Sequence, residues 1–340
     1  MKIVAPISRV GEVAPLARAG VDELYCGIVP SEWTARFQSA SVNRRAFGNL
    51  SSYEDLRQVV GIAAEFGRTV SLVMNAQHYT EAQIDSLVDL AYRFAEMGGR
   101  ALIVGDLGLL SVLAERGPAI RLHASSLLGC RNAGHSLLLK DLGAQRVIFP
   151  RDITLSEMAG VAAASAQLEY EAFILNDGCV FEEGSCHSIH LPSRLGGPIC
   201  LDRYVSEYSR ADGRPLALAE QNKLAANDHA YQEWLWYRFS CGFSVSPEGF
   251  PFGPCGLCAI PQLAAAGIGA VKIAGREGAL ERKIKSVELV RAALDHHSMA
   301  GGTSQYSDFV RALRGGEASC APGYMCYYRE TGAGKACARG

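Results

Sequence analysis

Short apolar runs rich in β-branched residues alternate along this chain with longer stretches whose apolar residues return every three or four positions. The first pattern suits a strand buried on both faces, the second a helix buried on one, so the alternation predicts βα units around a parallel sheet. Eight strand-like runs stand out, at residues 2–5, 23–27, 69–75, 101–105, 120–124, 146–150, 170–175 and 270–274. Eight strands close a barrel, so the predicted fold class is α/β, a (β/α)8 TIM-like barrel.

The helix starts are written as capping boxes at Ser51-x-x-Glu54, Thr80-x-x-Gln83 and Thr154-x-x-Glu157, in which the two side chains satisfy otherwise unpaired N-terminal amides. Gly20, Gly67, Gly98, Gly143 and Gly267 stand where helices should end and turn back to the sheet. The alternation fails once: about ninety residues separate the seventh run from the eighth, against the two dozen or so that a helix and two loops need. The expected organisation is a barrel over residues 1–298, interrupted by a cysteine-bearing insertion at 176–268. A last helix is predicted over 277–297, and a glycine-rich tail, read as an arm, over 299–340.

Composition adds three constraints. With 340 residues, 49% hydrophobic and 20% charged, and a formal net charge of −2, the chain reads as an ordinary soluble protein without global attraction to nucleic acid. Its first residues lack a signal-peptide pattern and no run reaches bilayer length, so a cytoplasmic location and no membrane span are expected. Eleven cysteines, an odd number in a reducing compartment, point to metal ligation or redox chemistry rather than to a disulfide framework.

A parallel barrel brings all its strand ends to one face, so residues distant in sequence converge there. The predicted strand ends offer Cys26, Asn75, Asp106, His123 with Ser125, Arg151, Asn176 and Arg276. Strand alternation places Arg121, His123 and Ser125 on one side of the pleat, with His123 read either as a general acid or base or as a buried neutral imidazole. Lys272 and Arg276 lie where the last strand runs into a helix, a frequent place for anions. Asn43-Arg44-Arg45, in the long loop after the second strand, suits either a substrate or solvent.

Cys179 and Cys186 have six residues between them, Cys200 follows after thirteen more, and Cys255 and Cys258 are two residues apart. That spacing matches neither zinc-finger nor ferredoxin runs and leaves zinc and a [4Fe–4S] cluster both open.

At five places the chain resembles the U-32 (collagenase-like) peptidase family. Ile3-Val4-Ala5-Pro6 with Ala19-Gly20-Val21-Asp22-Glu23-Leu24-Tyr25 is similar to its opening. Ala101-Leu102-Ile103-Val104 with Asp106-Leu107-Gly108-Leu109-Leu110, then His123-Ala124-Ser125-Ser126 with Asn132, and Arg146-Val147-Ile148-Phe149-Pro150-Arg151 are similar to its inner strands. Glu171-x-Phe173 leading to Cys179, and Lys272-Ile273-Ala274-Gly275-Arg276, complete the match.

The resemblance implies a [4Fe–4S] cluster on Cys179, Cys186, Cys200 and Cys255, with Cys258, Cys241 or Cys26 as alternatives for one place. It also implies dioxygen-independent hydroxylation of a small aromatic, such as a ubiquinone precursor, or of a nucleobase, with prephenate as the oxygen source. His123, Asn75 and Arg151 would be catalytic, and Arg276, Lys272, Ser125 and Asn176 would bind an anionic or aromatic substrate. The alternatives are a peptidase and a cluster-carrying subunit paired with a paralogous barrel. Leu175-Asn176-Asp177, the short stretch between Cys186 and Cys200, and Tyr204 depart from the family pattern. Without a basic stripe interleaved with aromatics, nucleic acid is not the favoured partner.

Overall fold

The computed structural model describes residues 1–39, 41–45, 47–179, 183–186, 206–239, 253–299, 303–315, 320 and 326–331. Its strands are β1 (Lys2–Pro6), β2 (Glu23–Cys26), β3 (Thr69–Met74), β4 (Ala101–Val104), β5 (Arg121–Ala124), β6 (Arg146–Ile148), β7 (Glu169–Leu175) and β8 (Ala270–Ile273). They form one closed, all-parallel barrel in chain order. Closure runs through Lys2 against Ala270 and Val4 against Lys272. The expected (β/α)8 barrel is the fold, and every predicted strand is present. Their residues are buried almost throughout, because helices cover the outside and side chains fill the inside.

The predicted boundaries have visible causes. At Thr154 the capping box is reciprocal: the Thr154 amide donates to Glu157 at 2.8 Å and the Glu157 amide to the Thr154 hydroxyl at 3.2 Å. The first box is shifted by one residue. Ser52, not Ser51, caps the helix Tyr53–Glu65, accepting from the Asp55 amide at 3.0 Å, and the Asp55 carboxylate takes the Ser51 amide at 3.2 Å. Asp55 is the N3 residue of that cap, so the spacing argument was sound and the choice between two adjacent serines was not. All five helix-ending glycines take positive φ, from 65° at Gly67 to 101° at Gly20, the region where a Cβ costs most.

Inside the barrel lies a layer of charge. Glu23 on β2 and Arg146 on β6 are not sheet neighbours, so the bonds between them, 2.6 and 3.0 Å, cross the interior. Arg146 also reaches Glu171 at 3.0 Å and Glu169 at 2.8 Å, and Lys272 pairs with Glu171 at 2.7 Å. Lys272 stands 4.0 Å over the Tyr25 ring. Burial alone would raise the Glu23 carboxyl, but the Arg146 bond and charge overcome it and hold the group at about 2, against an ordinary 4.5.

Because the folded value is depressed, Glu23 stabilises the fold above pH 4.5, and that contribution is lost as the pH falls from 4.5 toward 2. The shift corresponds to about 3 kcal/mol. Urea unfolding of Glu23→Gln should therefore show a shallower loss of stability across that window than the parent chain, and equal slopes would refute the assignment.

Two elements differ from expectation. The last barrel helix spans Leu280–Met299. The tail, read as an arm, folds back in its described part: helix Thr303–Leu313 buries Tyr306 and Val310, and Tyr327 and Tyr328 are buried as well. The cause is a register shift in β7 between Phe173 and Leu175, which turns main-chain groups away from β8. The Ile174 carbonyl accepts the Gly256 amide at 2.7 Å, and the Phe173 carbonyl accepts the Tyr328 hydroxyl at 2.6 Å. The tail supplies partners for carbonyls that the ladder leaves open.

Candidate functional site at the barrel mouth

The loop after β2 folds across the strand ends rather than into solvent. Its bonds begin at Gly27, whose carbonyl accepts the Leu50 amide at 2.8 Å. Asn43 accepts from Arg276 Nη2 at 2.6 Å and donates to Asn49 at 3.0 Å, while Arg276 Nη1 donates to Asn49 Oδ1 at 3.2 Å. Arg276 is therefore a clamp between the β8 end and this loop, fully enclosed, and burial lowers its pKa from the ordinary guanidinium value. The Arg44 amide donates to Asn75 Oδ1 at 3.1 Å and its guanidinium to Gln77 at 3.2 Å. Arg45 donates to both Asp177 oxygens, at 2.8 and 3.0 Å. Asn43-Arg44-Arg45, whose role the sequence left open, thus ties the ends of β2, β3, β7 and β8 together.

The turn after β7 is the most constrained part of the mouth. Asn176 and Asp177 both hold positive φ, 66° and 50°, uncommon for residues other than glycine although Asn and Asp tolerate it best. The Asn176 side chain donates to Ser286 at 3.0 Å and accepts from Arg282 at 2.9 Å, and its amide donates to the Pro254 carbonyl at 2.8 Å. The Tyr327 hydroxyl donates to its carbonyl. Arg151 completes the turn: Nε donates to the Asp177 carbonyl at 2.7 Å, Nη1 pairs with Glu183, and the guanidinium lies 3.7 Å from the centre of the Phe173 ring. Burial opposes its charge, but Glu183 first, then Tyr327, Asp177 and Cys179, raise its pKa above the ordinary value. Cys179 therefore feels a fixed cation, which favours thiolate over thiol.

The remaining candidates lie deeper. His123 projects into the interior layer, opposite Arg146 in register. Burial, then the Arg146 charge, holds its pKa well below the ordinary range, so the imidazole is neutral, and neither ring nitrogen has a hydrogen-bond partner. Ser125 accepts the Leu127 amide at 3.3 Å and the Asn75 amide nitrogen at 3.4 Å. Lys272 belongs to the charged layer below the mouth, and Asp106 caps the helix Leu107–Arg116. Cys26 is fully enclosed and burial pushes its thiol up to about 12.

Three of the four cysteines expected to hold a cluster are described, and all three belong to segments anchored at the end of β7. Cys179 follows the Asn176–Asp177 turn. Cys186 closes the stretch 183–186, which Gln77 and Arg151 tether through Gly184 and Glu183. Cys255 forms an antiparallel bridge with Leu175. Cys200 and the alternative Cys241 lie outside the described residues. Among the described residues no three His, Cys, Asp or Glu side chains already converge on one metal position. No described helix is long and apolar enough to cross a membrane.

The model of peptidase family U32 matches residues 8–334. This chain belongs to that family. Among similar proteins, the tRNA hydroxylation protein P of Helicobacter pylori (strain J99) is 22% identical over 186 residues, which cover 55% of this chain and 42% of that one. The 23S rRNA 5-hydroxycytidine C2501 synthase of Escherichia coli K12 is 26% identical over 141 residues, 41% of this chain and 21% of that one. The chain thus spans less than half the length of these two curated relatives. Among solved structures, the U32 peptidase Mk0906 aligns with a TM-score of 0.42 and 13% identity over 51% of this chain and 68% of that one. Both curated relatives named here are RNA-modifying by name, which does not fit the expectation of a small substrate in place of nucleic acid.

Proposed function

We propose that this U32 barrel is an iron–sulfur hydroxylase acting on RNA, converting a nucleobase C–H to C–OH. The observation that carries the reading is the anchoring of Cys179, Cys186 and Cys255 around the end of β7, beside the Arg151 cation. A thiolate set at the C-terminal face of a barrel stands where this fold does its chemistry. Cys179, Cys186, Cys200 and Cys255 would hold a [4Fe–4S] cluster, and the donor set fits, since all-thiolate coordination is what such clusters take. Bound there, the cluster would supply one-electron chemistry.

The protein's own groups fix the surroundings. Arg151 and Arg45 hold the 177 turn and so position Cys179, while Asn75, Ser125 and the neutral His123 present hydrogen-bonding groups from neighbouring strands. Names of relatives over part of the chain support RNA as the substrate class. The peptidase alternative gains nothing from His123, because no serine or cysteine bonds either ring nitrogen.

Anaerobically purified protein should carry about four iron and four sulfide per chain, and Cys179→Ala or Cys186→Ala should lose most of both. Nucleoside mass spectrometry of RNA from cells lacking the protein should show a hydroxylated base missing, restored by the parent chain and not by Cys179→Ala. A colourless, iron-free parent protein would end the cluster reading, and an unchanged nucleoside profile would end the RNA reading.

A further inference from the structure

Beyond the four cysteines already considered, three more approach the same rim. Where the chain returns from the insertion, Cys255 bridges Leu175 on one side and Cys326 on the other, in parallel, and its carbonyl accepts the Tyr327 amide at 3.0 Å. Cys258 lies in the 3-10 turn Leu257–Ala259, and the Leu257 carbonyl accepts the Tyr306 hydroxyl at 3.0 Å. Tyr306 belongs to the tail helix Thr303–Leu313, and Arg314 just after it donates to the Gly253 carbonyl at 3.4 Å. Cys320 follows. Main-chain bonds thus bring three stretches remote in sequence, 255–258, 320 and 326, to one place.

These thiols sense one another. Cys258 is pushed up to about 12, by burial first and then by the charges of Cys255, Cys320 and Cys326. Cys320 is raised by burial and then by Cys255. Thiolates gathered in a half-enclosed spot repel each other, so the grouping is favourable only while the sulfurs stay protonated or when a cation holds them. An inert apolar role is the simpler account of one buried cysteine. It is a poor account of three thiols drawn from the tail and a C-x2-C turn onto one edge.

We propose that Cys258, Cys320 and Cys326 form a second thiolate site, for a soft, thiol-seeking metal, which fastens the C-terminal segment to the barrel rim. Three thiolates with an open fourth position are an ordinary set for such a metal. Cys255, between the two sets, stays with the cluster proposed above, and the site does not depend on that cluster being present. The side chains do not yet converge on one point, so loading draws them together by rotamer changes and releases the protons that the raised thiols carry.

The test is metal content by elemental mass spectrometry on anaerobically purified full-length chains: the parent, Cys179→Ser with Cys186→Ser, and Cys258→Ser with Cys320→Ser and Cys326→Ser. The triple variant should lose about one metal equivalent that the double variant keeps, and whether that metal is zinc or iron identifies the occupant. A second measurement on the parent protein covers the case in which the triple variant fails to fold. Iodoacetamide labelling of the Cys258, Cys320 and Cys326 peptides should be slow in the loaded protein and rise at least tenfold after chelation. Metal content unchanged in a folded triple variant, or labelling indifferent to chelation, overturns the second site. Iron lost only from the double variant would leave the hydroxylase reading standing alone.

Discussion

Arg146→Met is expected to lower the stability of the fold by about 3–5 kcal/mol, because removing one partner of a buried ion pair leaves its counter-charges enclosed without compensation. Arg146 is 1% exposed and its guanidinium answers Glu23, Glu169 and Glu171 together. Methionine matches much of its length and none of its charge, so packing changes little and electrostatics decide the outcome. Two carboxylates would then remain inside the barrel, Glu171 still paired with Lys272 and Glu23 reduced to the half-exposed Lys2. Glu23 should take up a proton on folding, so the variant's deficit should shrink at low pH, where the parent has lost its advantage. Adding Glu23→Leu to Arg146→Met should recover part of the loss, since an apolar pair costs less than an orphaned charge. Urea unfolding of the parent, the single and the double variant measures all three quantities. A single variant within 1 kcal/mol of the parent would mean that water already reaches this layer.

That interior layer shows where the sequence was legible and where it was not. Apolar runs and capping signals located every strand because both follow from local physics, the pleat and the unpaired helix amide. Lys272 and Glu171 also stood in the sequence, but a polar residue within a strand looks the same whether it faces a ligand at the mouth or a counter-charge across the barrel. Only closure, which sets β2 opposite β6, distinguishes the two. Asn176 was misleading in the same way: its side chain is spent on Ser286 and Arg282, residues more than a hundred positions later. The folded-back tail had one local sign, the adjacent tyrosines Tyr327 and Tyr328 among small residues, whose size calls for burial. The metal-site argument was limited by cysteine spacing, which says nothing of sulfurs brought together by a β7 register shift.

The second large effect is expected at Gly27→Ala, at the base of the loop that spans the mouth. A Cβ there would stand 2.0 Å from Arg276 Nη1, 2.2 Å from Asn49 Oδ1 and 2.8 Å from Asn43 Nδ2. Each is the tip of a flexible side chain and could move singly at little cost. They cannot move independently, because Arg276 is hydrogen bonded to both asparagines and enclosed on all sides. The methyl therefore forces the guanidinium away from both partners and leaves it charged and buried, so the cost is that of overpacking, about 1–3 kcal/mol, with the loss of charge-assisted bonds added. The loop also carries Arg44 and Arg45, whose contacts reach Asn75 and the Asp177 turn before Cys179, so the damage should extend to the mouth. Limited proteolysis within 42–50 should accelerate in Gly27→Ala, and its iron content after anaerobic purification should fall below the parent's. Arg276→Ala would empty the space that the methyl needs, so the double variant should be destabilised by less than the sum of the two single changes, by 1 kcal/mol or more. Strict additivity would show that Gly27 is small for a reason other than the Arg276 clamp.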